Sequence, residues 1–235
     1  MTCITKCIEQ VRKRIAVAAI RAGREVSEIQ LLAVSKTRSA NDIRVAAASN
    51  IFDFGENYLQ EAQEKISQVC LHGLKWHFIG RLQRNKTQQV ANRFDWVHSV
   101  DRIEIAKRLS MHRDTQLPPL NICLQINIDD EVTKSGFKIK ELSDTVEQVI
   151  DLPQLVLRGL MAIPASKTAE IDQRKSFSRL RHAQAEINNR LDSRDKLDTL
   201  SMGMSQDLES AILEGATIVR IGSDIFGPRL KATTN

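Results

Sequence analysis

The sequence is short of several things, and each shortage excludes a class of protein. No apolar run approaches the roughly eighteen residues that span a bilayer. The first stretch, 1–24, carries charges throughout and lacks the apolar core of a secretion signal. A cytoplasmic location, with no membrane partner, is the default expectation. There are four cysteines, Cys3, Cys7, Cys70 and Cys123, and none stands in a CxxC pair. Reduced thiols packed as small hydrophobes are expected. The five histidines show no HxxxH or HExxH spacing, so no metal site is expected. Two Trp and one Tyr are too few rings for stacking bases. Net charge is +5, from 34 basic and 29 acidic residues, with the signs mixed along the chain. That pattern argues against a nucleic-acid partner and for small anions. No low-complexity stretch and no compositional shift marks a linker, so residues 1–235 read as one domain.

What is present is an alternation. Residues 1–22 place Ile4, Ile8, Val11, Ile15 and Ala18 or Ala19 on one stripe, which predicts a helix packed on whatever follows. Short apolar runs then recur: Gln30–Val34, Ile51–Phe54, Lys75–Ile79, Trp96–His98, Ile122–Ile126, Val156–Gly159, Leu197–Leu200 and Thr217–Ile221. Helical patterns lie between them at Asn41–Ser49, Glu56–Val69, Leu82–Asn92, Arg102–His112, Ile139–Ile150, Asp172–Arg190 and Gln206–Glu214. Ser39, with Asp42 three residues on, reads as a capping box. Continuous apolar strands separated by helices argue for a parallel sheet. Eight such units in about 200 residues fit a closed (β/α)8 barrel of the TIM type. A flavodoxin-like or Rossmann sheet is the runner-up, and no GxGxxG follows the first strand to support it.

In a parallel barrel the chemistry lies at the C-terminal strand ends. The first strand runs straight into Ser35 and Lys36. Lys36 is either a snorkelling loop lysine or a partly buried amine suited to Schiff-base chemistry. Asn57, after the second strand, faces a ligand or caps a helix. His77 is a barrel-mouth residue or a satisfied core histidine. Met161 packs on a ring or fills the core. The seventh strand ends in Ser201-Met202-Gly203-Met204-Ser205, and the eighth in Arg220-Ile221-Gly222-Ser223. Loops after strands seven and eight commonly bind phosphate in such barrels. A lysine on strand one, an arginine on strand eight and a phosphate cup between suit pyridoxal 5′-phosphate (PLP), with Arg220 facing the pyridine nitrogen.

At these residues the sequence resembles the PLP homeostasis protein family, which is similar to the N-terminal barrel of alanine racemase. The segments that carry the resemblance are LLAVSKT (31–37), FGENYLQE (54–61), WHFIGRLQRNK (76–86), INIDDEVTKSGF (126–137), RGLMAIP (158–164), LSMGMSQDLE (200–209) and VRIGSDIFGPR (219–229). The resemblance implies that Lys36 holds PLP as a Schiff base and that Arg220 faces the ring nitrogen. It implies that Ser205, Gly222 and Ser223 bind phosphate, that Asn57 and Met161 line the ring, and that Ser201 lies near the cup. Lys134 matches a family lysine suspected of a second contact with a B6 vitamer. Two positions depart from the family pattern. Asp224 puts a carboxylate beside the cup, and the tail, Leu230 to Asn235, carries only Lys231.

The implied function is non-catalytic: a PLP carrier in intracellular vitamin B6 homeostasis, with no catalytic residues. Its expected partners are PLP, other B6 vitamers and the apo forms of PLP enzymes, and a monomer is expected. The alternative is a PLP-dependent amino-acid racemase, which needs an acid–base group on each face of the substrate. Racemases of this type take the second base from a tyrosine in a further domain. The single tyrosine here, Tyr58, follows strand two, and the chain ends after the eighth unit.

Overall fold

The computed structural model describes residues 2–228. The Leu230–Asn235 tail, and Arg229 of the last family segment, lie outside the described residues.

Helix α1 (Cys3–Arg21) is capped by Thr2, whose hydroxyl accepts from the Thr5 amide. Its buried stripe is Ile8, Val11, Ile15, Ala18 and Ala19. Each of the larger side chains contributes about 1.5–3 kcal/mol relative to exposure. The units that follow are β1 (Gln30–Val34) and α2 (Ala40–Ala47), β2 (Asp53–Glu56) and α3 (Leu59–Val69), β3 (Lys75–Phe78) and α4 (Thr87–Ala91), and β4 (Trp96–Val100) and α5 (Ile103–His112). Next come β5 (Leu120–Ile126) and α6 (Leu142–Val149), β6 (Leu155–Ala162) and α7 (Glu170–Asn188), β7 (Thr199–Ser201) and α8 (Leu208–Leu213), and β8 (Ile218–Ile221) with the single turn α9 (Ser223–Phe226). All eight strands are parallel and close into a barrel in chain order, with β1 paired to both β2 and β8. This is the (β/α)8 barrel expected from the alternating pattern. Helix α1 packs on α2, α8 and α9. Among the described residues no helix is long and apolar enough to cross a membrane.

The core is a layer between strands and helices, plus a smaller interior cluster of Leu32, Trp96, Cys123, Met161 and Ile218. Strand β6 approaches β7 so closely that a Cβ at Gly159 would lie 1.8 Å from the Thr199 carbonyl oxygen. Only glycine permits that contact. The Ser39–Asp42 capping box is reciprocal: Asp42 N donates to Ser39 Oγ and Ser39 N to Asp42 Oδ2, both at 3.1 Å.

Several boundaries differ from the sequence expectation, each for a local reason. Glu56 is not the start of a helix but the last residue of β2, because its carboxylate accepts Ser35 Oγ and Lys65 Nζ inside the core. The expected helix at Leu82–Asn92 begins instead as a 3-10 turn, Arg84–Lys86, with Thr87 Oγ1 donating back to the Arg84 carbonyl. The seventh strand starts at Thr199 rather than Leu197. The Leu197 amide donates to Asn188 Oδ1, and Asp198 pairs with Arg158. The cysteines also correct an expectation. Cys123 is buried, but Cys3 and Cys70 are exposed and so are not packed. Cys70 sits in the left-handed C-cap of α3.

Candidate functional site

A cavity of about 320 Å³ opens at the C-terminal ends of the strands, a size ordinary for a small-molecule site. Six of the eight residues singled out from sequence line it: Lys36, Asn57, Ser205, Arg220, Gly222 and Ser223. They arrive from the ends of β1, β2, β7 and β8, which the barrel closure makes neighbours. Met161 and Ser201 do not line it. Met161 is buried in the interior cluster, and Ser201 is fully buried behind Arg220.

Lys36 is held between two anchored neighbours. The Ser35 amide donates to the Gly55 carbonyl, the Ser35 carbonyl accepts from Lys65 Nζ at 2.6 Å, and the Thr37 amide donates to Glu61. Lys65 also donates to Glu56 at 2.8 Å and to Glu61, so its three N–H bonds meet three acceptors. Thr37 adopts φ 63°, which turns the chain sharply after Lys36.

Arg220 lies register-opposite Leu32 on β1. Its Nη1 donates to Ser201 Oγ at 2.8 Å and its Nη2 to the Ala162 carbonyl at 2.9 Å. Burial lowers its pKa to about 10, while the Asp207 charge and Cys123 oppose the shift. It therefore remains a cation at neutral pH.

The cup is built from backbone and hydroxyls. Ser223 Oγ donates to Ser205 Oγ at 3.0 Å, joining the loops after β7 and β8. A side chain at Gly222 would press on Val34, with its Cβ 3.3 Å from the Val34 carbonyl oxygen and 3.4 Å from Val34 Cβ. Asp224 gives one oxygen to Arg14 of α1, while its other lies 3.5 Å from the cup hydroxyl of Ser223. The Arg14 guanidinium donates to Asp224 Oδ2, to both oxygens of Glu209 at 2.6 and 2.8 Å, and to the Ser205 carbonyl at 2.9 Å. The carboxylate at Asp224 is thus paired from the N-terminal helix, through a guanidinium that it shares with Glu209, a contact without a local sequence signal. Arg14→Met is expected to weaken binding of a phosphorylated ligand about five- to tenfold, by freeing the Asp224 charge. Arg14→Met/Asp224→Asn should recover it. Equilibrium dialysis against PLP reads both, and an unaffected single variant would disprove the role.

Sequence reasoning missed other lining residues: Arg38, Ile79, Lys167 and Asp207. Lys167 follows β6, where the eight-strand register itself pointed to a loop of the site. Its Nζ donates to Ser176 Oγ at 2.8 Å and lies 3.6 Å from Asp129. Burial raises the pKa of Asp207, although the Met204 amide and Arg220 oppose the shift. Lys134 reaches the rim, donating to the carbonyl of the lining residue Ile163 at 3.1 Å. His77 is neither exposed nor in the cavity. It is fully buried and bonded to Asp53 and His98.

Asn57 supplies a test of fit. Its Oδ1 is buried without a hydrogen-bond partner, at the cavity wall. An orphaned acceptor of this kind asks for a donor from a ligand or water. A lysine, a fixed guanidinium, two hydroxyls beside a glycine and this acceptor form a set of polar groups that suits PLP.

Known proteins resemble the chain in both sequence and fold. The family model for the alanine racemase N-terminal domain matches residues 8–229. The pyridoxal phosphate homeostasis protein of Pseudomonas aeruginosa is 51% identical over 97% of this chain and 97% of its own length. That of Escherichia coli is 47% identical over 97% and 98%. The structure of PipY from Synechococcus elongatus with PLP bound superposes with a TM-score of 0.79 at 34% identity, covering 92% of this chain and 100% of that one. The chain belongs to the pyridoxal phosphate homeostasis protein family, on the barrel of the alanine racemase N-terminal domain.

Proposed function

We propose that the chain is one PLP-binding domain that holds PLP as a Schiff base on Lys36 and acts, without catalysis of its own, as a carrier in intracellular vitamin B6 homeostasis. The observation that carries this reading is the meeting of Lys36 and Arg220 on one cavity beside the Ser205–Ser223 cup. The names of the relatives and the PLP bound to PipY support it. When bound, PLP supplies an electrophilic aldehyde for an amine and a ring that withdraws electrons. Lys36 provides the amine. Arg220, a donor only, faces the ring nitrogen and disfavours its protonation, which makes the ring a weaker electron sink than a carboxylate partner would. Ser205, Ser223 and the Gly222 backbone take the phosphate. Asn57 offers its acceptor beside the ring. Ser201 and Met161 act from behind, Ser201 by holding Arg220 and Met161 by filling the interior beneath.

A racemase requires a second base across the substrate from Lys36. Tyr58 is 58% exposed and lies outside the residues that line the cavity. The carrier reading is therefore preferred to the racemase, with a monomer as the working unit and other B6 vitamers and apo PLP enzymes as its partners. Purified PLP-loaded protein should show no turnover of L- or D-amino acids above that of Lys36→Ala. Turnover typical of an enzyme, on the order of 1 per second or more and lost in Lys36→Ala, would replace the carrier with the racemase.

A further inference from the structure

Two histidines occupy the inside of the barrel, where branched apolar side chains usually pack. His77 of β3 and His98 of β4 are both fully buried. His77 lies flat on Trp96, with ring centroids 5.5 Å apart and planes 7° from parallel. Burying two imidazoles costs free energy unless every nitrogen is bonded, and here every one is. His77 Nε2 lies 3.0 Å from Asp53 Oδ1, His77 Nδ1 lies 3.0 Å from His98 Nε2, and His98 Nδ1 lies 2.7 Å from Ser201 Oγ. Ser201 Oγ in turn accepts from Arg220 Nη1 at 2.8 Å.

The ends of this chain dictate its direction. Arg220 can only donate, and an ionised Asp53 can only accept. With Arg220 donating to Ser201, the Ser201 hydroxyl proton is available to His98 Nδ1. His98 then carries its proton on Nε2 and donates to His77 Nδ1. His77 likewise carries its proton on Nε2 and donates to Asp53. Reversing the inner bonds would leave a bare nitrogen facing the carboxylate. The protonation states agree with this assignment. Burial lowers the pKa of both imidazoles, that of His98 well below the usual value. His77 is faced by Asp53, Asp95, Lys75 and His98, and His98 by His77 and Arg220. Burial pushes Asp53 upward, but His77, a hydrogen bond from Gln30 and the Lys75 charge outweigh it, and the carboxyl ends below its ordinary range.

Asp53 opens β2, at the mouth of the barrel opposite the cavity. It lines a separate groove there with Arg12, Asn50 and Phe52. We propose that Asp53, His77, His98 and Ser201 are positioning residues, a one-way hydrogen-bond chain that fixes Arg220 and links the ligand cavity at one mouth of the barrel to a carboxylate at the other. This rests on the reading that Arg220 faces bound PLP. Packing alone does not call for it, since Leu32, Cys123, Met161 and Ile218 fill the neighbouring interior with apolar groups.

The direction is tested without ligand, by NMR of the imidazole nitrogens. Both His77 and His98 should be neutral with the proton on Nε2. A proton on Nδ1 of either, or an imidazolium at neutral pH, overturns the chain. The link is tested in PLP-loaded protein by following visible absorption against pH. Asp53→Asn keeps the shape and removes the charge, which leaves the Arg220 end more positive. The midpoint of the absorption change should fall by about half a pH unit or more. Ser201→Ala should weaken PLP binding about tenfold, because Arg220 Nη1 and His98 Nδ1 both lose their partner. An Asp53→Asn titration that superposes on wild type overturns the link, and the imidazole assignment in the wild type tests the direction independently of that variant's stability. Wild-type protein with no PLP band at all fails differently: it refutes the cofactor reading first, and this inference with it.

Discussion

Lys36→Ala protein incubated with PLP should lack the aldimine band of the wild type and should carry no covalently attached PLP after borohydride reduction. Two kinds of contact hold the ligand in the proposed site, and the substitution removes only the covalent one. The cup of Ser205, Gly222 and Ser223 and the guanidinium of Arg220 remain. Residual non-covalent binding is therefore expected, weakened by two orders of magnitude or more. A carbonyl ligand fixed by an amine gains from proximity as an intramolecular reaction does, and that gain disappears with the amine. The experiment also discriminates between lysines. Lys167 shares the cavity and Lys134 reaches its rim. Peptide mapping of the reduced wild type should find the adduct on Lys36. An adduct on Lys167 would move the attachment point to the loop after β6, and a band unchanged in Lys36→Ala would overturn the site.

Lys65→Met should cost about 3–5 kcal/mol of stability at neutral pH, the usual penalty for removing one partner of a buried ion pair. The side chain of Lys65 is 6% exposed and that of Glu56 0%. Methionine fills the space of the stem and satisfies none of the three acceptors. The pH dependence separates charge from packing. Burial already holds the Glu56 carboxyl above its ordinary range, and Lys65 with Ser35 pulls it back down. Without Lys65 the folded-state pKa rises further above the unfolded value. A carboxyl raised in the folded state costs nothing below its unfolded pKa, about 4.3, and costs more as pH climbs through the window up to the folded value. The deficit relative to wild type should therefore shrink toward about pH 5, and Lys65→Met/Glu56→Gln should recover part of it. Urea unfolding at both pH values decides. An equal loss at each would mean that only packing was removed. The same variant should load PLP more slowly, because Ser35 and Thr37, the anchors on either side of Lys36, are bonded through Lys65 and Glu61.

Much of the barrel was legible because its signals are local. Ser39 and Asp42 cap a helix through their own side chains, and α1 buries the residues that its 3.6-residue period selects. Lys36, Arg220 and the Ser-Gly loops could be brought together from the strand pattern, since strand order in a closed parallel barrel makes β1 and β8 neighbours. Boundaries failed where a side chain took over a backbone or core role, as Glu56 did at the end of β2 and Thr87 did before α4.

The contacts that no window of sequence could reveal join residues far apart in the chain. Arg14 meets Asp224 across a separation of 210 residues, and His98 meets Ser201 across 103. Neither pair has a period, a cap or a turn to announce it. The sequence by itself determined the eight-fold alternation and picked out six of the residues that line the cavity, because hydrophobic period and strand-end position are properties of short segments. Only the tertiary structure decided that Asp224 is paired with Arg14, that Met161 and Ser201 stand behind the cavity, and that two histidines run a polar thread through the barrel interior. Those outcomes depend on which side chains closure brings within about 3 Å of each other, the reach of a hydrogen bond.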